Sequence, residues 1–265
     1  MTKSDIKSES QFIWKFIWQI LISPITLILI LLKKKEWKDL PFMSFFKFIF
    51  EPKFTITIII INILIFVAGY FIDPKLFLPF YNFPADIINL RFHTLFTGGF
   101  LHANITHLAG NMGALFIFGR VVERKLGWFK TAAVYFGALL ISFVASSSIH
   151  LFILGDNTPG IGASGALMGL IATGILLDPF YLTYELILPI PVMVIGWLSL
   201  YGDLSGVINP TQDGIGHYAH LAGFISIALI MYLIGEKEEI KKGFIINVIS
   251  FGVLAGGYLV YMFYR

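Results

Sequence analysis

From residue 54 onward, apolar runs succeed one another with short polar interruptions, near 54–72, 104–122, 129–152, 163–177, 185–201, 215–234 and 243–263. Most approach the ~20 apolar residues that cross ~30 Å of hydrocarbon, so they read as membrane-spanning helices. The 163–177 run is short, as expected of a helix whose outer end stops below the membrane surface. A further stretch, 11–32, has Pro24 at its centre and Trp14, Lys15 and Trp18 near its start. It suits either a span or an interfacial helix. Residues 1–10 are polar and mixed in charge, a mobile tail by composition.

The balance of residues agrees with this reading. Of 265 residues, 57% are hydrophobic and 13% charged, where a soluble domain carries about 25% charged residues. A net charge of +3, with the basic residues grouped between spans, gives no stripe for phosphates, so no nucleic-acid partner is expected. The absence of cysteine excludes a disulfide framework and thiolate chemistry. The N-terminal apolar stretch is too long for the usual core of a signal peptide and is followed by Lys33-Lys34-Lys35.

Orientation follows from the Lys and Arg residues between the spans. One side receives Lys33, Lys34, Lys35, Lys38, Lys47, Lys53, Arg120, Arg124, Lys125, Lys130, Lys237, Lys241 and Lys242; the other receives Lys75 and Arg91. The positive-inside bias makes the first side cytoplasmic. The helices beginning near 104, 163 and 215 therefore run inward from the external face. Arg120, Glu123 and Arg124 then read as a solvated cytoplasmic helix end. The connection 73–103, rich in Phe and Pro, is long enough to imply a role and aromatic enough to lie partly in the outer leaflet. The stretch 202–214 reads as a mobile external loop, and Pro189 and Pro191 as kinks in the helix before it.

Three inward-running helices carry polar groups at a similar external depth. Gly160-Ile-Gly-Ala-Ser-Gly-Ala-Leu-Met-Gly169 delivers Ser164 to a helix start. His107 and Asn111, four residues apart, share a helix face, and His220 lies about one turn inside its own span. Gly165 and Gly169 form a GxxxG pair, and Gly223 with Ala219 and Ala222 gives the His220 helix a small face, allowing close backbone approach. Ser164 needs a base, and neutral His220 suits that role and the later protonation of a leaving amine. His217 is the rival base, disfavoured by its spacing to Gly223 and its position nearer the surface. Asp156, Asp203 and Asp213 read as loop residues, so a serine-histidine dyad without an acid is expected. The Ser164 backbone N–H, with the side chains of Asn111 and His107, could stabilise an oxyanion. His102 and His107, five apart and without a carboxylate, do not predict a metal site, and no cofactor is implied.

Phe100-Leu-His-Ala-Asn-Ile-Thr-His-Leu-Ala-Gly-Asn-Met-Gly113, then Gly162-Ala-Ser-Gly165, then Ala219-His-Leu-Ala-Gly223 resemble the three signatures of the rhomboid intramembrane serine proteases, in the family's order and over roughly 54–235. The resemblance implies Ser164 as nucleophile, His220 as general base, and His107 with Asn111 at the oxyanion hole. It also implies a six-helix core, an aromatic first loop in the membrane, a cap over a water-filled cavity and lateral entry of a substrate helix past the fifth helix. Two departures stand out: Met168 occupies the position four after the serine, where the family often has an aromatic, and the basic-aromatic signature of the first loop is reduced to Leu90-Arg91-Phe92.

The expectation is an all-α polytopic membrane protein, with a rhomboid-like six-helix transmembrane core at 54–235. The flanking parts are 1–53 (tail, apolar segment and basic linker) and 236–265 (loop and additional helix). Its activity would be endopeptidase cleavage of transmembrane protein substrates near the external face of a cell membrane. The alternative is a non-catalytic protein of the same fold that binds client helices, although such a protein would be expected to lack the serine or the histidine. A channel would need a polar pathway through the inner halves of the helices, and Leu170–Leu177 and Ile225–Leu233 supply no charged residues for one.

Overall fold

A computed structural model describes residues 9–40, 42–43, 46, 50–183, 190–210, 214–234 and 237–263. Among the described residues the chain is all-α apart from one two-stranded antiparallel pair, β1 (Leu182–Thr183) against β2 (Ile190–Pro191). Its longer helices among the described residues are α1 (Glu9–Leu21), α2 (Ser23–Leu31), α3 (Lys53–Ala68), α4 (Ile105–Leu126), α5 (Trp128–Leu154), α6 (Ser164–Leu177), α7 (Val192–Ile208), α8 (His217–Ile234) and α9 (Lys237–Phe263). Among the described residues, α4, α5 and α8 are each long and apolar enough to cross a membrane, and α3, α6 and α7 are shorter apolar helices.

The segment expected at 11–32 is not one straight helix. α1 and α2 meet at 58°, with Ile22 between them and Pro24, which cannot donate a helical hydrogen bond, in the first turn of α2.

α3 begins where Glu123 of α4 receives Phe54 N–H at 2.9 Å and both the N–H and the hydroxyl of Thr55 at 2.9 and 2.8 Å. Helix N-termini leave donors without intrahelical partners, and this carboxylate satisfies two of them from another helix. The expectation of a solvated end is therefore corrected. Glu123 is 8% and Arg120 1% exposed, and the Arg120 guanidinium lies 4.5 Å from the Phe116 ring centroid.

α4 is capped by Asn104, whose side chain accepts from His107 N–H at 2.9 Å. A π-turn at Leu115–Gly119 brings Gly119 against Thr55, whose side-chain atoms lie 2.8 Å from where a Cβ would be. The core is centred on α5, α6 and α8. Tyr135, Ala138 and Leu139 of α5 pack with Leu167, Leu170 and Ile171 of α6 and with Ile227 and Met231 of α8. Gly165 lies against Ser142, Gly169 against Ala138, and Gly223 against the carbonyl of Gly165. Small residues here replace side-chain packing with backbone contact between helices.

α7 departs from expectation. It starts after Pro191 rather than near 185, and it continues through Gly202, Asp203 and Gly206 to Ile208. Pro191 sits at the N-cap in an extended conformation, where its missing N–H costs nothing, so it starts the helix rather than kinking it. The helix stops at Asn209, which precedes Pro210, because a residue before proline is disfavoured in the α region. The loop expected from 202 thus begins at 209; Pro189 and Asp213 lie outside the described residues.

α9 packs on α6 and α7. Asn247 donates to the Ile175 carbonyl at 2.7 Å and accepts from Trp197 Nε1 at 3.2 Å.

Candidate active site

Ser164 opens α6. With 14 residues, α6 is about 21 Å long at 1.5 Å per residue, less than a full crossing. The chain enters it through Gly162, at φ +114°, a conformation open to glycine and strained for other residues. Space makes the same demand. A Cβ on Gly162 would lie 2.6 Å from His107 Nε2 and 3.4 Å from Asn111 Nδ2. The α4 side chains therefore cover the peptide immediately before Ser164.

The first connection holds this turn in place. Gly162 N–H donates to the Gly98 carbonyl at 2.9 Å. Asn82 and Gly160 exchange backbone hydrogen bonds at 2.8 and 3.3 Å. The buried Asn82 side chain accepts from Ser147 at 2.8 Å and donates to Thr94 at 3.2 Å. Arg91 fastens the connection from outside, pairing with Asp86 at 3.2 Å and donating to the Pro79 carbonyl at 2.9 Å.

α8 meets α6 beside the serine. Gly223 touches the Gly165 carbonyl, and a Cβ on Gly165 would lie 3.6 Å from the carbonyl of Ala219, the residue before His220. Ser164, His220, Asn111, Met168, Asp203 and His217 line one cavity of about 550 Å³. No direct Ser164–His220 hydrogen bond is formed among the described residues, although both side chains border the same space. Met168, 4% exposed, forms part of its wall.

Asp203 is the residue that sequence reasoning missed. It is 6% exposed on α7, and its Oδ1 accepts from His220 Nδ1 at 2.8 Å and from His217 Nδ1 at 2.9 Å. A carboxylate can only accept, so each Nδ1 carries a proton and, in a neutral ring, Nε2 is left with its lone pair. That is the tautomer a general base requires. The expectation of a histidine with no acid nearby is therefore overturned, for the same reason that the loop boundary moved. One signal was available: an acidic residue within an otherwise apolar helical run is a functional candidate on energetic grounds.

His102 is the second omission. Asn111 Nδ2 donates to His102 Nε2 at 2.9 Å, using one of its two protons and leaving one. The His102 and His107 rings meet edge to face at 5.0 Å. Burial, with His107 beside it, pushes His102 down to about 4, which keeps it neutral and able to accept. Among the remaining histidines, His93 contacts the Pro79 carbonyl at 3.2 Å and His150 pairs with Asp156 at 3.0 Å; neither lines the cavity.

The sequence family described as the rhomboid domain matches residues 89–237, more than half of the chain. The chain is 28% identical over 206 residues to rhomboid-like protein 11, chloroplastic, of Arabidopsis thaliana, covering 70% of this chain and 69% of that protein. It is 28% identical over 205 residues to RHOMBOID-like protein 12, mitochondrial, of the same plant, covering 70% and 59%. It is 32% identical over 182 residues to the rhomboid protease AarA of Providencia stuartii, covering 62% and 64%. The match thus spans less than two thirds of the length of the last two. With the family matched across α4 to α8, and with one residue from each of its three signatures, Asn111, Ser164 and His220, lining one cavity, this multi-pass helical membrane protein belongs to the rhomboid family.

Proposed function

We propose that the protein is an intramembrane serine endopeptidase whose core, 54–235, cleaves transmembrane protein substrates near the external face of a cell membrane. The observation that carries this reading is Asp203 holding His220 Nδ1, which leaves Nε2 as a proton acceptor in the cavity that Ser164 also lines.

In this scheme His220 Nε2 takes the proton of Ser164 Oγ as the oxygen attacks the scissile carbonyl. The buried Asp203 carboxylate stabilises the imidazolium that forms, which extends the expected dyad to a triad. The oxyanion develops next to the Ser164 N–H at the start of α6, where the helix dipole favours negative charge. The remaining Asn111 Nδ2 proton and His107 supply side-chain donors. His220 then protonates the departing amine, and water hydrolyses the acyl-enzyme by the same route in reverse. The cavity and its glycine-rich entry leave room for a small residue before the cut bond. A helical substrate exposes a carbonyl only after local unwinding, so helix-breaking residues near the cut are favoured. Residues 1–53 and 236–265 flank this core in sequence.

The test is cleavage of a transmembrane substrate, carrying small and helix-breaking residues near its external end, by protein reconstituted in liposomes. Cutting by wild type and none by Ser164→Ala supports the reading. Substrate binding without cutting by wild type would favour a client-binding role instead.

A further inference from the structure

His217 takes no part in the hydrolysis outlined above, yet it is held as firmly as His220. Its Nδ1 shares Asp203 Oδ1 with His220, and its ring lies against Gly206, one turn beyond Asp203 on α7, where a Cβ would collide with it. His217 and His220 stand three apart on one face of α8, opposite Asp203 on α7. One ligand atom from each of the three residues falls within 4.8 Å of the others. Two imidazole nitrogens and one carboxylate oxygen, facing a cavity of about 550 Å³, provide three protein ligands and an open fourth position. That donor set suits Zn²⁺, and its nitrogens disfavour Mg²⁺ and Ca²⁺.

We propose that Asp203, His217 and His220 form a transition-metal site, of the kind that takes Zn²⁺, and that the bound ion switches the serine off. The two N···O separations, 2.8 and 2.9 Å, are those of hydrogen bonds. A tetrahedral ion with bonds of 2.0–2.2 Å needs ligand atoms about 3.3 Å apart, so the site opens by roughly half an ångström as the ion replaces two shared protons. For each neutral ring, the proton leaves Nδ1 and appears on Nε2, with no net release. His220 Nε2 becomes a donor and cannot accept the proton of Ser164. Metal binding follows from the three ligands alone. Its inhibitory consequence rests on the proposed roles of Ser164 and His220.

The experiment uses the full chain in detergent, stripped with EDTA and then titrated with Zn²⁺. Bound metal is counted after equilibrium dialysis, and Ser164 reactivity is followed with a fluorophosphonate. Wild type is expected to bind one Zn²⁺ per chain and to lose at least tenfold of its labelling rate at saturation, with recovery on adding EDTA. His217→Gln should raise both the Zn²⁺ dissociation constant and the inhibitory Zn²⁺ concentration at least tenfold, each variant being compared with itself without metal. Ser164→Ala should bind Zn²⁺ as wild type does. Wild-type protein that labels but binds no Zn²⁺, or that binds it equally after His217→Gln and Asp203→Asn, overturns the site. Stoichiometric Zn²⁺ binding by a protein that never labels would leave the site standing and remove the hydrolytic reading. Should the variants fail to fold, the Co²⁺ spectrum of wild type decides: a tetrahedral spectrum supports the site, and that of the hexaaqua ion overturns it.

Discussion

Two of the buried carboxylates, Glu123 on α4 and Asp203 on α7, do opposite things. Glu123 is 8% and Asp203 6% exposed, so burial does not separate them. Their partners do. Glu123 accepts from two backbone N–H groups and a hydroxyl, none of which ionises near neutral pH, and it fixes where α3 begins. Asp203 accepts from two imidazoles, the side-chain type suited to acid-base chemistry, beside a cavity that Ser164 also lines. A buried acid marks chemistry when its partners are acid-base groups and a substrate can reach them; otherwise it marks architecture.

The contrast is sharpest for substitutions that keep shape. Asp203→Asn presents an N–H to His220 Nδ1 and favours the wrong tautomer, so kcat is expected to fall by about 10²–10⁴-fold with KM little changed. Partial recovery in Asp203→Glu would confirm positioning, and a rise in KM alone would place Asp203 with Glu123 as architecture. Asn111→Ala removes an oxyanion donor worth about 2.7–4 kcal/mol in the transition state. A loss of about 10²–10³-fold in kcat is expected, and an unchanged kcat would remove Asn111 from the machinery. Glu123→Ala should act on the fold instead. Leaving the α3 donors unpaired costs about 1–3 kcal/mol, read as a lower Tm in detergent, while kcat/KM well below that Tm stays within about twofold.

The smallest effect concerns pH. His102 stands at about 4 against an ordinary 6.5, so between those values the unfolded chain binds a proton that the folded chain does not. The stability this contributes is complete above pH 6.5 and is lost as pH falls toward 4. Thermal unfolding should therefore show a lower Tm at pH 5 than at pH 7, and the gap should narrow in His102→Gln, which keeps an acceptor for Asn111. An equal gap in both proteins would assign the pH dependence elsewhere.

The same two acids show what a sequence discloses. Apolar runs revealed the helices because lipid demands that a spanning segment satisfy its own backbone. The signatures that carry Ser164, His220, His107 and Asn111 stand out because their spacing and glycine neighbours are local, and the fold brings Ser164, His220 and Asn111 onto one cavity. Asp203 does not stand out, because Gly202, Ser205 and Gly206 around it are weak helix formers in water. The boundary actually lies at Asn209, before Pro210. Glu123 and Arg120 were misjudged for a related reason. Their charge resembles a solvated end, and only the fold shows that Glu123 meets the first turn of α3 from 68 residues away.

The central claim is that Ser164 is activated by a histidine whose Nδ1 proton is held by a buried acid. The most direct measurement is site-mapped fluorophosphonate labelling of purified, metal-free protein, comparing wild type with Ser164→Ala, His220→Ala and Asp203→Asn. The account predicts an adduct on Ser164 in wild type, none in Ser164→Ala or His220→Ala, and labelling slowed by at least tenfold in Asp203→Asn. Wild-type rates in His220→Ala, or an adduct mapped to another serine, would contradict it.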